Sequence, residues 1–174
     1  MKTLEIRRHS IRSQPGDHLN QSGVVLARLV GQNIGPFDHV VTSTLPRAFE
    51  TAIAMGFAVD EQVDLLNTYG HAVEKEAPWP LSFADYAGII QLGGAAAKYS
   101  RRLKKFYGGI MEQIEDGRSV LVVNHGGVVE LGVVGCLPGV DFSTWGGSVE
   151  YCEGARLYWD DGTFVIGEVL RIST

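Results

Sequence analysis

The first half of the chain alternates between short apolar runs and segments with helical periodicity. The stretch TLEI at residues 3–6 alternates apolar and polar positions, which predicts a short strand. Residues 20–33 then place leucine and valine on one face of a helix that Gly35 and Pro36 close. The β-branched run at residues 38–43 predicts a buried strand, so the order so far is strand, helix, strand.

The same order of elements repeats further along. Residues 43–55 fit a helix with Ser43 or Thr44 as N-cap and Pro46 in the first turn. The run SVLVVN at residues 119–124 predicts another buried strand, and HGGVVELGVVG after it predicts a glycine-rich junction leading into a helix. Near the end of the chain, YWDDGTFVIGEVL has two apolar runs around Asp-Asp-Gly and predicts a hairpin.

Residues 56–117 follow a looser pattern. SFADYAGIIQL predicts a short helix and AAAKYSRRLKKFYGGIMEQIE a longer crossover helix. We expect a partial lid at about residues 66–100, within a single domain that spans residues 1–174. The basic run RRLKK is compatible with a phosphoprotein or nucleic-acid contact, but a solvated helix face is the favoured interpretation.

Alternating strands and helices predict an α/β fold with a mostly parallel sheet and right-handed crossovers. In such a fold, ligands bind beyond the carboxyl ends of the strands. The three predicted strand-to-helix junctions therefore share one edge of the sheet.

The composition limits the possible classes of function. With 174 residues, of which 45% are hydrophobic and 20% charged, the chain can bury one sizeable core. A net charge of −5 argues against general binding to nucleic acid or anionic membranes, so neither is expected as a partner. The absence of a long apolar run or signal-peptide pattern favours a cytoplasmic protein. Cys136 and Cys152 are not part of a CxxC motif or another metal-ligand spacing, and we expect them to be buried free thiols.

Basic and histidine side chains concentrate at the predicted strand ends and helix starts. The members of this group are Arg8, His9, Arg12, Arg47 and His125. Guanidinium groups bind phosphate through paired, charge-assisted hydrogen bonds, and helix N-termini add backbone N–H groups. The group therefore predicts a pocket for a phosphoryl dianion. The remaining histidines are interpreted as structural: His18, His39 and His71.

A phosphate in this pocket points to one type of reaction. A neutral imidazole can attack phosphorus in line and become a phosphohistidine, which water then hydrolyses. The arginines stabilise the charge on the equatorial oxygens of the transition state. The sequence has no HExxH motif and no clustered His, Asp and Cys ligands, so neither a metal nor another cofactor is expected.

Three segments of the chain resemble a known family. RRHSIR, TSTLPRAFETA and VVNHGGVVEL are similar to the signature blocks of the histidine phosphatase superfamily, which includes the cofactor-dependent phosphoglycerate mutases and many small phosphatases. The resemblance implies a phosphoglycerate mutase-like α/β/α sandwich of three layers. It also implies that His9 is the phosphorylated nucleophile, that Arg8 and Arg47 grip the phosphate, and that His125 is the second pocket histidine. Arg12 matches a further arginine of the acid-phosphatase-like branches.

The chain departs from the family pattern directly after the predicted nucleophile. The family normally has glycine there, because a side chain could crowd the phosphate or require an unfavourable backbone angle. Here the residue is Ser10. A mitochondrial protein phosphatase branch of the family also carries serine at this point, so we expect the change to adjust the pocket without destroying it.

A second departure concerns the general acid that protonates the leaving oxygen. Mutase-like members have a glutamate shortly after the third strand, where this chain has Asn67 or Thr68, and the aspartate that other branches carry after the second histidine is Gly126 here. Glu74 and Glu76 remain as candidates. Glu74 is preferred because it lies nearer the glycine that should turn the chain toward the site, and solvated loop glutamates are the alternative.

These observations lead to one main hypothesis and two alternatives. The main hypothesis is a metal-independent phosphatase that hydrolyses a phosphomonoester or a protein phosphate through phospho-His9. Its expected partner is thus a phosphorylated small molecule or a phosphoprotein, and its oligomeric state is left open. The alternatives are a non-catalytic phosphate-binding or interaction module and a phosphoglycerate mutase-type phosphotransferase.

Overall fold

A computed structural model describes residues 1–173 of the chain. The strands are β1 (Lys2–Arg8), β2 (His39–Thr42), β3 (Glu61–Gln62), β4 (Ser119–Asn124), β5 (Gly154–Asp160) and β6 (Thr163–Leu170). The α-helices are α1 (Gln21–Gly31), α2 (Pro46–Met55), α3 (Gly70–Glu76), α4 (Phe83–Gln91), α5 (Ala95–Gln113) and α6 (Val128–Cys136). Short 3₁₀ turns occur at Asp64–Leu66 and Phe142–Thr144.

The six strands form one mixed sheet in the order β3-β2-β4-β1-β5-β6. Strands β3, β2, β4 and β1 are parallel, while β5 and β6 are antiparallel to their neighbours. The predicted α/β fold with a mostly parallel sheet is therefore confirmed. The predicted hairpin is confirmed as β5–β6, whose turn residues Asp161 and Gly162 have φ of 45° and 79° as a tight type I′-like turn requires.

Helices cover both faces of the sheet and make three layers. Alternate residues of a strand point to opposite faces, so Val40 packs against α2 while Val41 joins the larger core on the other face. Helices α1 and α2 pack against each other on the first side, and α5 packs against α6 on the second. The fully buried Phe83 and Tyr86 place α4 in this second core as well.

The start of α2 differs from the expectation. The helix begins at Pro46, and its N-cap is Leu45 rather than Ser43 or Thr44. The Ser43 hydroxyl lies 2.7 Å from Nε2 of His125 and accepts from the N–H of Leu45 at 3.3 Å, one residue before the helix begins. The predicted position of Pro46 in the first turn is confirmed.

The segment at 66–100 contains a helix that the sequence pattern did not indicate. Helix α3 has seven residues, of which only Val73 is buried, so it carries too little apolar periodicity to be recognised. Its neighbours Leu66 and Ala77 are fully buried in the larger core. The segment therefore packs on the body of the protein, and α5 follows it as the crossover to β4.

Several surface and core predictions are settled by burial. The four basic residues of the RRLKK run are exposed on α5, while its leucine is buried, which confirms the solvated helix face. Cys136 and Cys152 are free and buried as expected. None of the helices within residues 1–173 combines the length and apolarity needed to cross a membrane.

Candidate active site

Three neighbouring parallel strands bring the predicted site residues to one edge of the sheet. His9 follows β1 and His125 follows β4, while Arg47 lies one residue into α2, beyond the end of β2. The register continues past the strand ends, because the His9 N–H donates to the Asn124 carbonyl at 2.9 Å. The two histidine rings consequently face each other with centroids 5.2 Å apart.

The hydrogen bonds of His9 determine which ring nitrogen is free to react. Its Nδ1 lies 2.7 Å from the Ser10 carbonyl oxygen, and a carbonyl can only accept, so Nδ1 carries the proton. The lone pair is therefore on Nε2. Burial lowers the pKa of His9 to about 3, and the charges of Arg8 and Arg47 act in the same direction. His9 is thus neutral at physiological pH, as a nucleophile must be.

His125 is held by a side chain from the neighbouring strand end. Its Nε2 is 2.7 Å from the Ser43 hydroxyl, while its Nδ1 is buried and has no partner among the described residues. Burial lowers the pKa of His125 to about 2, and His9 and Arg47 lower it further. The site therefore contains two neutral imidazoles among cationic side chains.

Arg8 is held between two aromatic rings. Its guanidinium carbon lies 4.7 Å from the ring centroid of Trp79 and 4.2 Å from that of Tyr151, both within cation–π distance. Its Nη1 also donates to the Val149 carbonyl at 3.1 Å. Burial lowers the pKa of Arg8, but an arginine remains charged at neutral pH. These contacts restrict the guanidinium to one orientation.

The loop after β1 interacts with the other two arginines. Arg47 Nη1 donates to the Asp17 carboxylate at 3.0 Å, and Arg12 Nη1 donates to the Gly16 carbonyl at 2.9 Å. Burial lowers the pKa of Arg47, and the Arg12 charge lowers it further, against the opposing effect of Asp17. The bond to Asp17 uses one of the five N–H donors of the Arg47 guanidinium, so the others can bind an anion.

A cavity of about 390 Å³ opens between these groups. Five of the six predicted site residues line it, all except Glu74. The lining also includes residues that were not predicted, namely Gln14, Trp79, Gly126, Glu150 and Tyr151. Trp79 and Tyr151 come from loops outside the three signature segments. A tryptophan between two prolines was the one signal in the sequence that could have drawn attention to the first of these loops.

The two glycines after His125 allow the rings of Trp79 and Tyr69 to approach the loop. A Cβ atom on Gly126 would lie 2.6 Å from the Trp79 ring, and one on Gly127 would collide with the Tyr69 ring. Gly127 also has φ of 84°, which disfavours other residues. Gly126 therefore lets the Trp79 ring pack on the His125 loop and also lie against Arg8.

Ser10 does not crowd the cavity. It is fully buried and is not among the residues with positive φ, so it needs no unusual backbone angle. Its hydroxyl donates to the Gly23 carbonyl of α1 at 2.7 Å, and its N–H donates to the Thr51 hydroxyl of α2 at 2.9 Å. The side chain that replaces the expected glycine is thus used to bind the helices behind the site.

The carboxylates considered as general acid lie in different surroundings. Glu74 is exposed on α3 and does not line the cavity. Glu76 accepts hydrogen bonds from the N–H groups of Ala95 and Ala96 at the start of α5, and these bonds lower its pKa. Glu150 does line the cavity, with its carboxylate 4.0 Å from the Arg8 guanidinium.

The remaining histidines lie away from this cavity, and none of them lines it. His18 is exposed and bonds to Glu50, which raises the pKa of His18. Within residues 1–173, no group of three or more His, Cys, Asp or Glu side chains is arranged to hold a metal ion.

Solved structures with the same fold include several phosphate-handling proteins. The phosphoserine phosphatase of Entamoeba histolytica, solved with 3-phosphoglyceric acid, matches with TM-score 0.71 and 18% identity over 99% of this chain and 98% of that one. The phosphoglycerate mutase of Bacillus anthracis str. Sterne matches with TM-score 0.64 and 20% identity, over 97% of this chain and 92% of that one. The alpha-ribazole phosphatase of Shigella flexneri matches with TM-score 0.64 and 19% identity, over 97% of this chain and 95% of that one. These matches confirm the phosphoglycerate mutase-like fold.

Sequence comparison gives the family directly. Proteins of curated function provide no significant match. The profile of the histidine phosphatase superfamily (branch 1), however, matches residues 3–170. This match includes all three segments on which the resemblance was based and supports the predicted enzyme class, a phosphoric monoester hydrolase. The chain therefore belongs to branch 1 of the histidine phosphatase superfamily.

Proposed function

We propose that this protein is a phosphatase that hydrolyses phosphate monoesters through a phosphohistidine on His9. The observation that carries the proposal is a neutral His9 whose Nε2 is free, in a cavity that it shares with Arg8, Arg12 and Arg47. A phosphate group needs cationic donors to bind, and phosphorus needs a neutral nucleophile to be attacked. The cavity contains both.

The reaction has two steps. In the first, the Nε2 lone pair of His9 forms a bond to phosphorus while the bond from phosphorus to the ester oxygen breaks, and that oxygen takes up a proton. In the second, water attacks phosphorus, the P–N bond breaks, and His9 regains its lone pair as inorganic phosphate leaves. The Nδ1–H of His9 continues to donate to the Ser10 carbonyl oxygen, and this oxygen stabilises the positive charge that develops on the ring.

The arginines supply the charge stabilisation. Negative charge spreads over the non-bridging oxygens in the transition state, and fixed guanidinium groups in a poorly hydrated site stabilise it most. Arg8 is fixed by its two aromatic neighbours and by the Val149 carbonyl. His125 adds a buried ring nitrogen, Nδ1, that has no partner among residues 1–173, and we expect a phosphate oxygen to become its partner in the complex. No step needs a metal ion.

Release of inorganic phosphate from p-nitrophenyl phosphate and acetyl phosphate tests the proposal. We expect turnover that persists after treatment with a chelator, together with a phosphoenzyme that can be trapped by rapid denaturation and is labile in acid. A protein that binds phosphate without hydrolysing either compound would instead be the binding module. Transfer of the phosphate between positions of a phosphoglycerate, faster than its release, would indicate the mutase.

The structure adds Glu150 to Glu74 and Glu76 as a candidate proton donor to the leaving oxygen. Glu74 was preferred from the sequence, but Glu150 is the carboxylate that lines the cavity. Glu150 lies in the cavity wall with its carboxylate 4.0 Å from the Arg8 guanidinium, close to where the leaving oxygen of a bound phosphate ester would lie. We therefore expect Glu150→Gln to slow hydrolysis of alkyl phosphates by about 10²-fold and to leave p-nitrophenyl phosphate hydrolysis nearly unchanged.

Glu74→Gln is the matched control for this measurement, since it removes the same charge from an exposed position. We expect it to change neither rate by more than a few-fold. Loss of alkyl phosphate hydrolysis in Glu74→Gln, with Glu150→Gln unaffected, would restore Glu74 as the proton donor. Equal effects on alkyl and aryl phosphates in Glu150→Gln would indicate a role in substrate binding.

The substrate class is proposed more broadly than a single compound. The similar solved proteins include phosphatases named for phosphoserine and alpha-ribazole, and one of them was solved with 3-phosphoglyceric acid. The cavity volume of about 390 Å³ is compatible with a small phosphorylated molecule or with the phosphorylated side chain of a protein. A screen of phosphorylated metabolites and phosphopeptides distinguishes the two.

A further inference from the structure

One buried carboxylate beside the site has no role in the reaction described above. Glu130 lies in the first turn of α6 and is fully buried. Burial raises its pKa, while hydrogen bonds from Val149 and Gly127 and the charge of Arg8 oppose that rise. A buried carboxylate destabilises the folded protein unless its oxygens accept hydrogen bonds, so the hydrogen-bond partners of Glu130 indicate its role.

Each carboxylate oxygen of Glu130 accepts one backbone N–H. Oε2 accepts from Gly127 at 2.6 Å, which is a local capping interaction at the start of α6. Oε1 accepts from Val149 at 2.9 Å, nineteen residues further along the chain. The second bond is not needed to cap the helix. It joins the loop after β4, which carries His125, to the loop before β5, which carries Glu150 and Tyr151.

Val149 connects this bond to the phosphate-binding group. Its carbonyl accepts from Arg8 Nη1 at 3.1 Å, so the N–H of Val149 is held by Glu130 while its carbonyl holds Arg8. Tyr151, two residues later, covers one face of the same guanidinium. The loop before β5 thus orients Arg8 at two points, and Glu130 is what fixes that loop to α6.

We propose that Glu130 is a positioning residue that fixes Arg8 for phosphate binding by holding Val149 and Gly127 at a set separation. The inference rests on the proposed function, because it assigns Arg8 to the phosphate. Glu130 does not touch the substrate. It acts through the backbone of two loops, and its effect is therefore on binding more than on the chemical step.

The variant Glu130→Gln tests this role. A carboxamide has one acceptor oxygen, and its NH₂ group would face the other backbone N–H, so one of the two bonds is lost. We expect the inhibition constant of inorganic phosphate and KM to rise about tenfold, which corresponds to one bond to a charged group, while kcat falls less. Backbone amide exchange at Val149 or Gly127 should accelerate more than exchange at the amides of β1 and β4.

Glu5→Gln is the matched control, because Glu5 is another buried carboxylate, bonded to Arg7 and Arg156 on β1 and β5. We expect it to lower the thermal midpoint without changing phosphate inhibition more than twofold. The proposal is overturned if Glu130→Gln binds phosphate within twofold of wild type, or if Glu5→Gln weakens binding as much as Glu130→Gln does.

A measurement on the wild type keeps the proposal testable if Glu130→Gln does not fold. We expect amide exchange at Val149 to be slow in the free protein and to slow further when inorganic phosphate saturates the site. Exchange at the rate of an exposed turn, or no change with bound phosphate, contradicts the role of Glu130. Failure of the wild type to bind phosphate contradicts the proposed function instead, so the two failures are distinguishable.

Discussion

The variant His9→Ala is expected to lose phosphatase activity by at least about 10³-fold, since removing a covalent nucleophile leaves only the contributions of binding and charge stabilisation. Phosphate binding should persist, because the arginines of the cavity do not depend on the His9 ring. The measurement is the rate of phosphate release from p-nitrophenyl phosphate, with the inhibition constant of inorganic phosphate determined in parallel. The trapped phosphoenzyme should also disappear.

His71→Ala is the matched control for His9→Ala, because His71 is an exposed histidine that does not line the cavity. We expect it to behave as wild type. Equal activity of His9→Ala and wild type would exclude His9 as nucleophile and, with it, the proposed mechanism. Loss of both activity and phosphate binding in His9→Ala, accompanied by a lower thermal midpoint, would indicate a structural role for this histidine.

Acidification is expected to destabilise the protein well above the pH at which carboxylates titrate. Burial depresses the pKa of His9 to about 3 and of His125 to about 2, so the folded protein keeps both rings neutral where the unfolded chain protonates them. The unfolded state then binds more protons, and stability falls as pH falls below the unfolded value. Between about pH 7 and pH 5 each histidine removes up to about 2 kcal/mol from the free energy of unfolding.

Urea unfolding at several pH values measures this effect, and the double variant His9→Asn/His125→Asn is its control. The double variant should show a distinctly flatter pH dependence over this range. Other groups contribute in both proteins and cancel in the comparison: His18, whose raised pKa favours folding in acid, and Glu130, whose raised pKa acts in the same sense. Identical pH dependence in the two proteins would mean that the buried rings are not held neutral.

The framework of the site could be predicted because local sequence signals agreed with one another. Continuous apolar runs predicted β2 and β4. The strand-to-helix junctions after these strands then indicated Arg47 and His125 as site residues. Parallel strands end at one edge of the sheet, so side chains far apart in sequence could be placed together before the structure was known. These residues now share one cavity.

The walls of the cavity could not be predicted in the same way. Trp79, Glu150 and Tyr151 lie in irregular loops, where no periodicity indicates which way a side chain points. Their position depends on tertiary contacts, such as the close approach of Trp79 to Gly126. The preference for Glu74 as proton donor was based on distance along the chain, and α3 places that side chain in solvent.

Ser10 changes how His9 is connected to the rest of the protein. Its side chain and N–H bind α1 and α2, and α1 approaches so closely that a Cβ atom on Gly23 would overlap the Ile11 carbonyl. A glycine in place of Ser10 would leave the loop without the first of these bonds. With serine, local opening of the His9 loop must break a bond to α1 as well as the bond to α2.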